Sequence, residues 1–247
     1  MRRAAIAFLF VFLAANAFGG EVRDVTKVVI APVHWKLKQW ERFGEGVALV
    51  VGVAAVDRPL IHAIQRNRTN FSDQFARHVT PIGANDAVLA SWALLGSGFL
   101  LHNDTLRGAG RDAIESEIVA ASLATPVIKR IAGRARPFRH EGTFHFDPNQ
   151  SHSGNFQSFP SGHATNAFAA ATAIAGHFDG WIVPTIVYTI ASGVSISRVN
   201  DNVHFPSDVV AGALIGRAVA KGVLARHHIS VVPEKHGLLF VYRFAGE

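Results

Sequence analysis

Apolar residues in this chain recur at three- and four-residue steps and seldom alternate with polar ones. Through Ala113, Ile114, Glu117, Ile118, Ala121 and Ser122 the apolar positions hold that step, which lines one face of an α-helix. The same Ala-rich helical character marks 44–56, 84–101, 111–131, 161–177, 182–197 and 207–227. At the far end Ile229, Val231 and Val232, a turn at Pro233 to Gly237, and a second apolar run from Leu238 read as two short strands around a turn. The pattern predicts an all-α bundle of about six helices with a short C-terminal β-hairpin. The longest uncharged windows, 87–103 and 180–197, are at the margin of the roughly 20 apolar residues needed to cross a bilayer. The second also contains Pro184. A globule lying against a membrane is therefore expected in preference to an integral membrane protein.

The start of the chain follows a different logic. Arg2 and Arg3, an apolar run from Ala4, and Ala15-Asn16-Ala17 before the first acid, Glu21, have the form of a cleaved secretory leader. The expected organisation is a leader at 1–17, an extension at 18–42, a helical domain at 43–228 and a hairpin tail at 229–247, in an exported, periplasmic protein. With 247 residues, 49% of them hydrophobic, one domain with an ample core is the default. Only 17% are charged, against roughly 25% in an average soluble protein, which keeps a membrane surface open as a partner. The absence of Cys excludes a thiol nucleophile, a disulfide framework and thiolate metal sites.

Charge narrows the choice of chemistry. The net of +6 becomes +4 once Arg2 and Arg3 are removed, and Lys129, Arg130, Arg134, Arg136 and Arg139 carry all of it within eleven residues. Such a cluster could be a nucleic-acid patch. Aromatic interleaving is thin, however, and the basic residues run off a helix end at Gly133 instead of along one face. A second cluster, Phe159-Pro160-Ser161-Gly162-His163, precedes an apolar helix. Ser161 suits the N-cap and Gly162 lets a ligand approach the backbone, so free amides would face an anion. His163 in the first turn could donate a proton to it. In a third cluster, Ser197-Arg198 through His204, Phe205, Pro206, Ser207 and Asp208, Pro206 fits the first helical turn. Asp208 could then reach back to His204, fix its tautomer and leave the other ring nitrogen free to attack. The polar stretch 137–159 has the length of a functional loop or lid. His140, His145, Asp147 and His152 within it follow no recognisable ligand spacing.

Taken together, Lys129 with Arg136-Pro137, Pro160-Ser161-Gly162-His163, and Ser197-Arg198 with His204 and Asp208 resemble the three signature motifs of the type 2 phosphatidic acid phosphatase superfamily. That superfamily also holds bacterial class A acid phosphatases and vanadium-dependent haloperoxidases. The resemblance runs from about Lys129 to Gly216. It implies a helical bundle with its site at one end and a metal-independent, cofactor-free hydrolysis of phosphoesters. His204 would form a phosphohistidine, Asp208 would orient it, and His163 would serve as acid and then base. Lys129, Arg136, Arg198, Ser161 and Gly162 would hold the phosphoryl oxygens. Two histidines with ordinary pKa values near 6.5 imply a mildly acidic to neutral optimum. Haloperoxidases have much longer chains. The run from His204 to Gly212 is closer to the lipid-type branch, which makes a lipid-linked phosphate ester the expected substrate. The leader and the weakly hydrophobic helices are closer to soluble acid phosphatases, the alternative. A non-catalytic anion binder would not need His163, His204 and Asp208 together, and a nucleic-acid partner is not expected.

Overall fold

The computed structural model describes residues 37–226, 229–234 and 237–242. The expected leader at 1–17 and the first part of the extension lie outside them. Nine α-helices are present among the described residues: α1 Leu37–Ala55, α2 Asp57–Arg66, α3 Asn70–Val79, α4 Asn85–Leu100, α5 Asp104–Glu117, α6 Thr125–Ala132, α7 Gly162–Ala175, α8 Ile182–Asn200 and α9 Pro206–Arg226. The body is all-helical, but the expected count of six is too low for two reasons. The stretches forming α2 and α3 are amphipathic but, at ten residues each, too short and too polar overall to stand out as apolar helical runs; both start well: α2 has Asp57 in its first turn, and Thr69 and Ser72 form a capping box on α3. The expected helix over 111–131 is also one path in three parts, since Ile118–Ala124 between α5 and α6 is wound as a π-helix. Beyond α9, Ile229–Glu234 and Gly237–Tyr242 pair antiparallel with Val231 opposite Phe240.

Helix α7 lies at the centre. Its sequence is apolar all round, and nine of its fourteen residues are buried, as expected of a helix enclosed by others. It packs against α9, α8 and α5. Small residues let these helices come close: Ala113, Ala170, Ala173 and Ala220 form one buried cluster. On α9 a Cβ at Gly212 would lie 2.5 Å from the Ser161 carbonyl, and one at Gly216 2.2 Å from that of Thr165. The backbones of α7 and α9 therefore touch near the N-termini of both, which brings the second and third sequence clusters together.

The outer helices are apolar toward the outside. Ile182, Ile186 and Ile190 on α8 are exposed at four-residue spacing, as are Val47 and Val51 on α1, and the adjacent Phe99 and Leu100 are exposed at the end of α4. Helix α8 is long and apolar enough to cross a membrane, and α1 with α2, bent by 55°, meet the same criterion together.

Candidate active site

The site begins with the first turn of α9. Pro206 starts the helix, which places Asp208 in the turn and His204 just ahead of it; both are buried. Asp208 is held from several sides. Its Oδ2 accepts from the Ser158 hydroxyl at 2.6 Å and from the Phe205 amide at 2.8 Å, while Oδ1 accepts from Arg134 Nη1 at 2.6 Å. His204 Nδ1 stands 3.8 Å from Asp208 Oδ2, longer than a hydrogen bond, and has no other partner. Burial pushes the His204 imidazole well below its usual range, with Asp208 opposing the shift and Lys129 reinforcing it. Burial alone would raise Asp208, but His204 and Arg134 beside it hold the carboxyl below the usual carboxylate range.

Beneath Asp208 lies a group that the three clusters did not reveal. Arg134, 2% exposed, reaches Ser207 Oγ at 2.8 Å and, through Nη2, Asp57 Oδ2 at 2.8 Å. Asp57 also accepts the Ser207 amide at 2.9 Å and the Ser207 hydroxyl. The guanidinium stacks on Phe205, 4.4 Å from the ring centre. Asp57 had no motif to mark it, being 150 residues from Ser207; its signal is an acid opening an otherwise basic and apolar helix. Arg134 was visible in the basic cluster without a role.

The cations assemble above this floor. Lys129, in the last turn of α6, points its Nζ at the Gln157 carbonyl. Burial and then Arg136 push its pKa down to about 7. Arg136 donates to the carbonyls of Gly154 at 2.8 Å and Val203 at 3.4 Å. Arg198, near the end of α8, donates from Nη1 to Thr80 at 3.1 Å and Asp201 at 3.0 Å, and its buried Nε has no partner. His163, in the first turn of α7, packs against the 3₁₀ turn Thr80–Gly83, where a Cβ at Gly83 would come within 3.1 Å of it. Burial, followed by Arg198, Arg136 and Lys129, pushes it down to about 4. The expectation of two histidines with ordinary pKa values is thus corrected, because both are desolvated among cations.

Ser161 and Gly162 complete the site. The Ser161 hydroxyl is buried and accepts the Ala164 amide at 3.5 Å as the cap of α7, while its own amide donates to the Asp208 carbonyl at 2.9 Å. It stitches α7 to α9, and its hydroxyl is engaged in the cap. A Cβ on Gly162 would stand 4.0 Å from Lys129 Cε, so the bare backbone faces that cation. The expected set is therefore brought together: His163, Lys129, Arg136 and Arg198 sense one another's charge, as do His204, Asp208, Lys129 and Arg136.

The stretch 137–159 is a tied strap. The amides of Ala135, Arg136, Asp147 and Ser158 bond across it to His145, Asn155, Gly133 and Arg134. Gly133, at φ +56 with its Cβ position 2.1 Å from the Asp147 carbonyl, admits no side chain there. The strap supplies Ser158 and the carbonyls of Thr143, Gly154 and Gln157 to the site. Its own charged groups look elsewhere: Asp147 accepts Gln150 Nε2 at 2.8 Å, and His145 lies 3.4 Å from Glu141. No metal-binding group of three such side chains forms among the described residues. Two shallow depressions, lined by Arg58, Pro59, His62, Ala63 and Arg66 and by Pro184, Thr185, Tyr188, Thr189 and Ser192, contain none of the expected site residues.

Chemically, three cations and two histidines around a helix start suit a tetrahedral anion whose charge spreads over several oxygens. The sequence profile described as the PAP2 superfamily matches residues 116–230. A lipid A 1-phosphatase of Rhizobium johnstonii is 42% identical over 101 residues, which are 40% of this chain and 40% of that protein. The chain thus spans well under half the length of that relative. A decaprenylphosphoryl-5-phosphoribose phosphatase of Mycobacterium tuberculosis is 31% identical over 182 residues, covering 70% of this chain and 85% of the other. The crystal structure of Aquifex aeolicus LpxE superposes with a TM-score of 0.53 at 25% identity, covering 67% of this chain and 93% of that one.

Proposed function

This chain belongs to the PAP2 superfamily, and from that premise we propose that it is a phosphatase of the lipid-type branch, cleaving lipid-linked phosphomonoesters or pyrophosphates through a phosphohistidine on His204. The observation that carries the reading is that Lys129 and Arg136 act on His204 and on His163 alike, with Asp208 beside the first histidine and Arg198 near the second. The Nε2 lone pair of His204 attacks phosphorus in line, and the ester P–O bond breaks. His163 gives its proton to the leaving oxygen. Water then attacks the phosphohistidine as His163 takes a proton back, the P–N bond breaks, and phosphate leaves. Asp208 holds His204 Nδ1–H; closing their 3.8 Å gap to hydrogen-bond length needs about 1 Å of movement, the kind of tightening expected when substrate fills a site.

Protonation of His163 follows from the same electrostatics. Burial, together with three cations, keeps it neutral; a bound phosphoryl dianion offsets the cations and raises its pKa toward the working pH. The cations neutralise charge on the equatorial oxygens, so the reaction calls for no metal or other cofactor. The catalytic unit spans 43–228, preceded by an exported leader at 1–17 and an extension at 18–42, with the hairpin tail at 229–247. The apolar outer faces of α1, α4 and α8 support a membrane-associated enzyme, and the expected leader supports a periplasmic one. They favour a lipid substrate over the alternative, a soluble acid phosphatase.

The test is a panel of phosphatidic acid, phosphatidylglycerol phosphate, undecaprenyl pyrophosphate, lipid A and a soluble chromogenic ester, with chelator, with and without detergent. Preferred turnover of a lipid phosphate is expected, with a fall of at least about 10⁴-fold in H204A. Wild-type turnover by H204A, or no phosphate release by the native protein, overturns the proposal.

A further inference from the structure

We propose that Asp57 and Arg134 are positioning residues for the nucleophile, setting His204 through Asp208; this rests on the functional reading above. Asp57, Arg134, Ser207 and Asp208 form one buried chain, none of them more than 2% exposed. Arg134 Nη1 meets both Ser207 Oγ and Asp208 Oδ1, and Nη2 meets Asp57 Oδ2. Asp57 in turn takes the Ser207 amide. The first turn of α9 is thereby clamped to the first turn of α2, and one guanidinium lies between two carboxylates.

The geometry also excludes two simpler roles. Arg134 is not a ligand for substrate oxygens: its donors end on Asp57, Asp208, Ser207 and the Thr143 carbonyl, and its faces lie on Phe205 and Phe146 at 4.4 and 5.4 Å. Nor is it only a fold staple. Its bond fixes Oδ1 of Asp208 while Ser158 and the Phe205 amide fix Oδ2, which leaves the carboxylate one orientation. Beside it, His204 Nδ1 has no hydrogen-bond partner among the described residues. A planar fork that spans two carboxylates is a task for Arg; the single ammonium of Lys cannot reproduce it.

The experiment is a mutant cycle on the full chain with the best ester from the panel. D57N should lower kcat about 10²-fold, the scale of an ångström-sized misplacement, with KM within about threefold. R134K should do the same, and both should shift the acid limb of the kcat profile. In a D208N background D57N should have no further effect, since the carboxylate it acts through is already altered. Effects that multiply in the double variant, or a change confined to KM, overturn the inference. S207A, which removes a single hydroxyl, covers the case in which the charge variants fail to fold. A severalfold fall in kcat, absent in the D208N background, supports positioning, and an unchanged kcat overturns it. An active native enzyme with additive variants defeats only this inference; a native protein that releases no phosphate defeats the functional reading with it.

Discussion

Arg134 and Arg136 stand two residues apart and do opposite things. Arg134 points down into the floor of the site, where Asp57 and Asp208 compensate its charge and no donor is left for a ligand. Arg136 points into the rim beside Lys129 and Arg198, bonding to the carbonyls of Gly154 and Val203. No carboxylate lies within ion-pair distance of it among the described residues. A carbonyl dipole satisfies a guanidinium's hydrogen bonds but leaves most of its charge. Within this segment, charge answered by the protein is architecture and charge left over is what an incoming anion meets; Arg198 divides the two roles, pairing with Asp201 through Nη1 at 3.0 Å while its buried Nε is left for the anion. On this view the basic cluster of the sequence is two devices sharing one segment, and Arg139, paired with Glu141 at 3.0 Å, belongs to neither.

The largest test of the contrast is stability. R134A strands two buried carboxylates against each other, and breaking a buried pair in this way costs about 3–5 kcal/mol. Thermal unfolding should show Tm lower by roughly 6–20 °C, given about 2–4 °C per kcal/mol at this chain length. R136A should leave Tm within about 2 °C, because its partners are carbonyls that water can reach. Equal losses in the two variants would erase the distinction between floor and rim.

The second test runs the other way. R136A and R198A each remove a charged donor from the rim, worth roughly 1.5–3 kcal/mol per bond to a charged group, so affinity for phosphate or vanadate should fall about 10- to 100-fold. Calorimetric titration of the apo protein measures this directly. A rim variant that binds vanadate as tightly as the native chain would show that the charge there is not what holds the anion.

The rim was far more legible in the sequence than the floor. Lys129, Ser161, Gly162, His163 and Arg198 sit at helix ends and Arg136 shortly beyond one, and short motifs with fixed spacing reveal them, as they do His204 and the floor's Asp208 at the start of α9. The floor depends on a contact between Asp57 and Ser207, across 150 residues, and local pattern carries no trace of such a pairing. The bundle was readable for the same reason as the rim: α7 and α9 announce themselves by composition. Helices α2 and α3 do not, because their stability comes from caps and tertiary contacts, such as Asn200 Nδ2 to Asp73 at 2.9 Å. The depressed pKa values of His163 and Lys129 were hidden as well, since they arise first from burial in the folded bundle and then from neighbouring cations that folding gathers.

Lys129 provides the finest test. Its pKa falls from 10.5 to about 7 through burial and the nearby Arg136, so between those values the unfolded chain holds a proton that the folded one lacks. The sign follows by linkage: this group's contribution to stability rises with pH across that window and is at its least favourable below about 7. A bound phosphate dianion stabilises the ammonium and moves its pKa back up, so binding takes up a proton. Between about pH 8 and 9.5 phosphate is already a dianion, its second ionisation lying well below. Affinity there should weaken as pH rises, by at most about tenfold per unit. K129R, whose charge does not titrate in this range, should bind with a nearly flat pH dependence. A slope in K129R as steep as that of the native chain would assign the proton to another group and separate Lys129 from the rim.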